Sequence, residues 1–405
     1  MSHQPQRGVW PSPLSDRPSG PLAGVRVLDL SRILAGPFAT MILADLGADV
    51  VKVERPEDGD ETRRWGPPFA PSGDAAYFYA CNRGRRSVAL DLRDPAGRDV
   101  VLDLVAEADV LVENFLPGSM ERLGLDEQTL QSRNPRLIQC GISGYGRTSS
   151  RASWPALDFV IQAHAGILGV TGPGPQEPLK AGVPIADLAT GLYVVIGVLG
   201  ALRTVAETGR GTTVEVALAD ACASLLVNQA MSWLIGGVEA RPRGNAHPSV
   251  APYQTVRTQD RLMAIAASSD EQFRRLCGVV GCSDLVSDAR FASNADRVSH
   301  RVELIALLED AFVTRPAAAW VDALNEAGVA AAVVNTVGEA LEDEVLRARL
   351  VATVGSDEQV VPQLRLPIWF DGAPVEPSSA PPALGADNER VVQRLQKVEL
   401  PCARR

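Results

Sequence analysis

From Val25 onward, short apolar runs alternate with longer segments whose apolar residues recur at helical spacing. Residues 25–30 predict a strand, the Ala35-Gly36-Pro37 break opens a helix to about Leu46, and residues 49–54 predict a second strand, so the chain begins as a βαβ unit. Pro37 suits a first helical turn, where its missing N–H has no partner to lose. The strands are apolar on both faces, as in a buried parallel sheet. Strands over 87–92, 109–112 and 137–143 and a helix over 95–106 continue the alternation. The fold class this predicts is α/β, a Rossmann-like doubly wound parallel sheet.

Past residue 150 the pattern changes. Residues 158–168 read as a helix, 171–178 as a loop rich in Gly and Pro, and about 188–207 as a long helix ended by Thr208-Gly-Arg-Gly211. A strand over 213–217 and a helix from 220 to about 235 lead into a polar stretch, which is read as a domain boundary. The expected organisation is a flexible tail over 1–20, a large α/β domain over 21–225 and a linker over 226–249. A smaller α+β domain over 250–340 follows, then a linker and tail over 341–405 that returns to the large domain.

Composition adds exclusions. A length of 405 residues fits two domains, and 46% hydrophobic with 22% charged residues fits a soluble enzyme. The net charge of -10 opposes a phosphate backbone, so nucleic acid is not an expected partner. No signal-like stretch opens the chain and no apolar run reaches the roughly 20 residues of a membrane span, so no membrane is expected. The six cysteines show no CxxC spacing, which argues against a disulfide framework or a metal site and fits a reducing cytoplasm.

Asp187 is a lone carboxylate at the start of an apolar helix. It fits either a helix N-cap or a nucleophile kept ionised by the helix-end potential. The Ala35-Gly36-Pro37 and Pro117-Gly118 turns follow strands, where open α/β sheets bind ligands. The usual dinucleotide and P-loop glycine patterns are absent. Arg55 and Arg122 are candidates for phosphate or carboxylate contacts, or plain surface arginines. None of the four histidines falls in a hydrolase motif.

Several strings, taken in order, resemble the family III CoA-transferases. They include Val27-Leu-Asp-Leu-Ser31, Ala35-Gly-Pro37, Leu46-Gly-Ala-Asp-Val-Val-Lys-Val-Glu-Arg55, Asn82-Arg-Gly-Arg-Arg-Ser-Val88 and Val112-Glu-Asn-Phe115. Gly144-Tyr-Gly146, Gly182-Val-Pro-Ile-Ala-Asp187, Thr208-Gly-Arg-Gly211 and Gly244-Asn-Ala-His-Pro-Ser-Val-Ala-Pro-Tyr253 extend the likeness over nearly the whole chain. The resemblance implies that Asp187 is the nucleophile and that acyl-CoA is a substrate, with no permanently bound cofactor and no metal. It further implies CoA contacts along Arg32, Ile33, Leu34 and Ala35, near Arg55 and Arg93, and from Asn114, Phe115 and Arg122. Gly144 and Tyr145 are expected beside the pantetheine, and the protein is expected to be an interlocked homodimer.

Racemases with a similar scaffold carry Gly-His-Asp where this chain reads Ala156-Leu157-Asp158. An alkyl side chain cannot move a proton, which disfavours isomerase chemistry and leaves Asp158 as a structural acceptor. The strings Thr62-Arg-Arg-Trp-Gly-Pro-Pro-Phe69 and Ala186-Asp-Leu-Ala-Thr-Gly-Leu-Tyr193 are similar to those of succinyl-CoA-dependent dicarboxylate transferases. Arg63, Arg64 or Arg83 is then expected to hold the distal carboxylate. Leu384-Gly-Ala-Asp-Asn-Glu389 departs from the family, many of whose members have a histidine after the glycine.

Overall fold

The computed structural model describes Trp10, residues 20–356 and residues 359–391. The first elements are β1 (Arg26–Asp29), α1 (Ala35–Asp45), β2 (Asp49–Glu54), α2 (Ala76–Tyr79), β3 (Arg85–Ala89), α3 (Pro95–Val105) and β4 (Val110–Glu113). They continue with α4 (Ser119–Arg122), α5 (Glu127–Arg133), β5 (Ile138–Ser143), α6 (Asp158–His164), α7 (Ile167–Val170), α8 (Ile185–Thr208), β6 (Thr212–Ala217), α9 (Leu218–Ser224) and α10 (Val227–Gly236). Beyond these come β7 (Tyr253–Arg257), β8 (Leu262–Ala266), α11 (Asp270–Val280), α12 (Asn294–Ser299), α13 (Arg301–Phe312), α14 (Ala317–Glu326) and β9 (Ala330–Val333). The last are α15 (Val337–Glu342), α16 (Glu344–Leu350) and two hairpins, β10 (Val351–Ser356) with β11 (Gln359–Leu364) and β12 (Trp369–Phe370) with β13 (Ala373–Pro374).

The chain forms two compact units. The first comprises the described residues up to 167, 181–227 and those from 345 onward; the second comprises 168–180 and 228–344. In the first unit six parallel strands run in the order β3-β2-β1-β4-β5-β6. Successive strand residues feed different cores. Val27, Val50 and Val110 join α1, α8 and α9 on one face, while Leu28, Val51 and Leu111 join α3 and α5 on the other. Double burial of this kind explains the near-continuous apolar runs. The second unit packs an antiparallel sheet, β7-β8-β9, against α11, α13 and α14 around Phe273, Leu308, Phe312 and Trp320.

The structure revises several expected boundaries. The strand expected over 87–92 lies at Arg85–Ala89, because Arg85 and Arg86 are buried by ion pairs with Asp29 at 2.8 Å and Asp49 at 2.9 Å. The helix expected over 158–168 is interrupted at Gly166, whose φ is +89°. The helix expected from 220 to 235 is broken between α9 and α10, with Val227 at φ +38°. Ten residues of the expected linker are helix α10.

Trp10, within the segment read as a flexible tail, is buried, with its indole N–H donating to Asp49 at 2.9 Å and its backbone N–H to Glu107 at 3.0 Å. At the other end, Ser87 N–H donates to Asp387 at 3.2 Å and Ala89 N–H to Asn388 at 2.7 Å, so this C-terminal segment covers the β3 edge. Helix α8 has 24 residues and a mean hydropathy of 2.0 over 18 of them, long and apolar enough to cross a membrane by composition, contrary to the sequence reading. Here it packs on α1, α9 and β6, and Gly191 permits close approach because a Cβ there would lie 2.9 Å from the Ala35 carbonyl oxygen.

Candidate active site

The strand order reverses between β1 and β4, where open α/β sheets leave a crevice at the carboxyl ends of the strands. A cavity of about 110 Å³ lies there. It is lined by the loop leaving β1 (Arg32, Ile33, Leu34), the start of α1 (Ala35), the residues after β4 (Asn114, Phe115), Gly144 after β5, and Asp187. Among the described residues lining it, Asp187 carries the sole carboxylate.

Ile33 has φ +71°, a left-handed conformation that a β-branched residue adopts only under constraint, at a cost of about 1–2 kcal/mol. The constraint is visible on both sides. Asn114 clamps the Arg32 backbone by accepting its N–H at 2.9 Å and donating to its carbonyl at 2.8 Å. Asp60 accepts the Ile33 N–H at 3.2 Å. Asp60 is itself held by Lys52 at 3.0 Å, and Lys52 also donates to the Ser31 carbonyl at 2.8 Å. Burial opposes both charges, yet mutual attraction holds Lys52 above and Asp60 below its ordinary range. A lysine inside the apolar strand Asp-Val-Val-Lys-Val-Glu was the sequence signal for this pair, because a buried ammonium needs a partner. The sequence reading missed it.

Asp187 is the third residue of α8, within its first turn and not at its cap. Cap duty falls to Asp158, whose carboxylate accepts the Ala186 N–H at 2.8 Å and the Asp187 N–H at 3.4 Å. Burial, with the Asp158 charge second, pushes the Asp187 carboxyl up to about 7. Desolvation and a like charge thus oppose the helix-end potential at this carboxylate. The Tyr77 hydroxyl is pushed up to about 12 by burial and then by the Asp187 charge, which marks Tyr77 as a neighbour that the sequence reading did not single out.

A second cavity, of about 370 Å³, shares Arg32 and Phe115 with the first and is further lined by Arg55, Asp58, Arg93 and Leu123. The Arg32 guanidinium lies 5.3 Å from the Phe115 ring centroid. Glu61 bridges Arg32 at 3.0 Å and Arg55 at 3.3 Å, and Arg93 pairs with Asp91 at 2.9 Å. The structure thus gathers Arg32, Ile33, Leu34, Ala35, Arg55, Arg93, Asn114, Phe115, Gly144 and Asp187 around two adjoining cavities. Arg122 is exposed, donates to Ser119 at 2.8 Å and lines neither. Tyr145 lines neither as well; its ring packs edge-on against Trp154 and His164, at 5.9 and 5.1 Å. Gly144 is required by crowding, because a Cβ there would lie 2.4 Å from that of Ala156.

The arginines expected to hold a distal carboxylate are already engaged. Arg63 is buried against Glu54 at 2.7 Å and Asp74 at 3.0 Å, Arg83 is buried against Asp45 at 2.6 Å, and exposed Arg64 pairs with Asp58 at 2.8 Å. For Arg63 and Arg83 the expectation fails, since freeing either one strands a buried carboxylate.

Comparison with known proteins shows the family. Residues 22–388 match the model of CoA-transferase family III, and the chain belongs to that family and is a CoA-transferase. The succinate–glutarate CoA-transferase of Agrobacterium fabrum is 39% identical over 94% of this chain and 96% of its own length. The succinyl-CoA:glutarate CoA-transferase of Mus musculus is 35% identical over 97% and 91%. A solved CaiB/BaiF family protein from Brucella suis superposes with a TM-score of 0.85 at 43% identity, covering 93% of this chain and 99% of its own.

Proposed function

We propose that the protein transfers CoA from an acyl-CoA, with succinyl-CoA the preferred donor, to a dicarboxylate acceptor through covalent intermediates on Asp187. The carrying observation is that Asp187 is the carboxylate at the switch-point cavity, with no hydrogen bond to its side chain among the described residues. The names of the glutarate transferases at 35–39% identity support the donor and acceptor classes.

In the first step an Asp187 oxygen attacks the thioester carbon and the CoA thiolate leaves, giving an aspartyl–acyl anhydride. The thiolate then attacks the Asp187 carbonyl and expels the donor carboxylate, leaving an aspartyl–CoA thioester. An acceptor carboxylate attacks that thioester to form a second anhydride and release thiolate. Attack of the thiolate on the acceptor carbonyl yields the new acyl-CoA and regenerates the Asp187 carboxylate. The α1 N-terminus adds positive potential beside the reacting carbonyls.

The CoA phosphates are assigned to Arg55 and Arg93, which would exchange Glu61 and Asp91 for phosphate oxygens. The pantetheine arm is assigned to the passage past Arg32 and Phe115, and Arg122 and Tyr145 to outer roles. A homodimer is part of the reading: α8 leaves Leu192, Ile196 and Leu199 exposed, and α10 leaves Leu234 and Ile235 exposed. A cytoplasmic setting completes it, given the free thiols of Cys81, Cys140, Cys222 and Cys277.

The test is CoA exchange between succinyl-CoA and a panel of mono- and dicarboxylates, for wild type and Asp187→Ala. Exchange onto a dicarboxylate that disappears in the variant supports the reading. Exchange preserved in Asp187→Ala, or confined to monocarboxylates, refutes the nucleophile or the acceptor class respectively.

A further inference from the structure

We propose that Asp158 is a positioning residue for catalysis: it occupies the free N–H groups at the start of α8 and so leaves the Asp187 carboxylate without hydrogen bonds, basic and available to attack. The inference rests on Asp187 being the nucleophile.

The first turn of any helix presents N–H groups with no partner within the helix. Pro184, the residue before α8, supplies no side-chain acceptor. An aspartate at the third helical position is itself well placed to answer that potential. Here Asp158 takes the donors instead, from another helix, at 2.8 Å from Ala186 N and 3.4 Å from Asp187 N. It is fixed for this task. Its second oxygen accepts from the buried Gln162 side chain at 2.6 Å, and the Gln162 oxygen accepts the Ala181 N–H at 2.9 Å. The pair thus ties α6 to the chain entering α8.

Two consequences reach Asp187. A carboxylate denied hydrogen bonds is more basic than a satisfied one, and an adjacent like charge raises its basicity further. The other titratable groups facing the pair are the Tyr77 hydroxyl of α2 and the Cys222 thiol of α9, pushed up to about 12 and about 11 and hence neutral at pH 7. Neither supplies a counter-charge. The resulting value of about 7 keeps the ionised fraction substantial at neutral pH while retaining a strong nucleophile.

The test is kcat/KM against pH for wild type, Asp158→Asn, Asp158→Glu and Asp187→Ala. With a carboxylate titrating at about 7, wild-type activity rises about tenfold from pH 6 to pH 8. Asp158→Asn keeps an oxygen for the Ala186 N–H and removes the charge. Its midpoint moves acid-ward by about one unit, so the same interval gives only about a twofold rise. Asp158→Glu restores the wild-type midpoint. Should Asp158→Asn not fold, Gln162→Ala loosens the anchor and gives a smaller acid-ward movement of the midpoint. A variant that melts earlier with an unmoved midpoint overturns the proposal and leaves Asp158 as a cap alone. Activity of Asp187→Ala with a wild-type profile instead sinks the nucleophile assignment on which it rests.

Discussion

Replacing Lys52 with methionine isolates the buried pair that holds the strained loop. Lys52 and Asp60 have side chains 1% and 0% exposed with 3.0 Å between charges. Removing the ammonium leaves Asp60 buried beside the Ile33 and Thr62 N–H groups without a counter-charge. Breaking such a pair from one side costs about 3–5 kcal/mol, whereas replacing both charges costs far less. For a protein of this size that corresponds to a melting temperature about 5 °C lower in Lys52→Met, with most of the loss recovered in Lys52→Met/Asp60→Asn. The loop adds a second readout. Once Asp60 takes a proton it can no longer accept fully from Ile33, so KM for acyl-CoA rises about tenfold in the single variant while kcat at saturation changes little. Thermal melts and initial rates on the two single variants and the double variant measure both. If the three variants lose stability additively, or if KM for acyl-CoA is unchanged in Lys52→Met, the pair does not support the loop and the reasoning is wrong.

Asp187→Asn should be more stable than wild type at pH 8 by about 2 kcal/mol, discounted for partial exposure, because a carboxyl raised from 3.8 to about 7 favours folding only while protonated. The advantage should vanish towards pH 4 in urea titrations. Glu54 and Asp60 are shifted the opposite way, so the stability they contribute is present above the ordinary carboxylate range and is lost as pH falls through their depressed values, which denaturant midpoints below pH 4 will show. Gly144→Ala should raise KM for acyl-CoA at least tenfold and lower stability by about 1–3 kcal/mol, since the new methyl group must displace Ala156 beside the cavity. Trp10→Ala should destabilise by about 3 kcal/mol in the same melts.

The legible parts of this fold are those whose causes lie close together in the chain. Strand β2 reads directly from its apolar run, and α3 reads from Asp94, which accepts the Ala96 N–H, followed by Pro95 at the first turn. The position of Asp187 at the start of a long apolar helix was equally visible, because Gly, Pro and a carboxylate precede fifteen uncharged residues. What could not be read depends on partners set by the fold. Asp158 caps α8 from 28 residues upstream, and Arg83 finds Asp45 38 residues away. Neither separation has a sequence rule. The same holds for Ile33, a residue that by propensity belongs in a strand and is forced left-handed by Asn114 and Asp60. The shifted start of β3 shows the opposite error, since Arg85 and Arg86 were read as preceding the strand although their charges are neutralised within it.

The central claim is that Asp187 forms covalent intermediates with the substrate. Intact-protein mass spectrometry after mixing the enzyme with succinyl-CoA, followed by peptide mapping, tests it most directly. The account predicts a CoA-sized adduct on the peptide containing Asp187, removed by hydroxylamine and absent from Asp187→Ala. Sustained CoA exchange with no adduct at any stage of trapping, or an adduct that persists in Asp187→Ala, would contradict it.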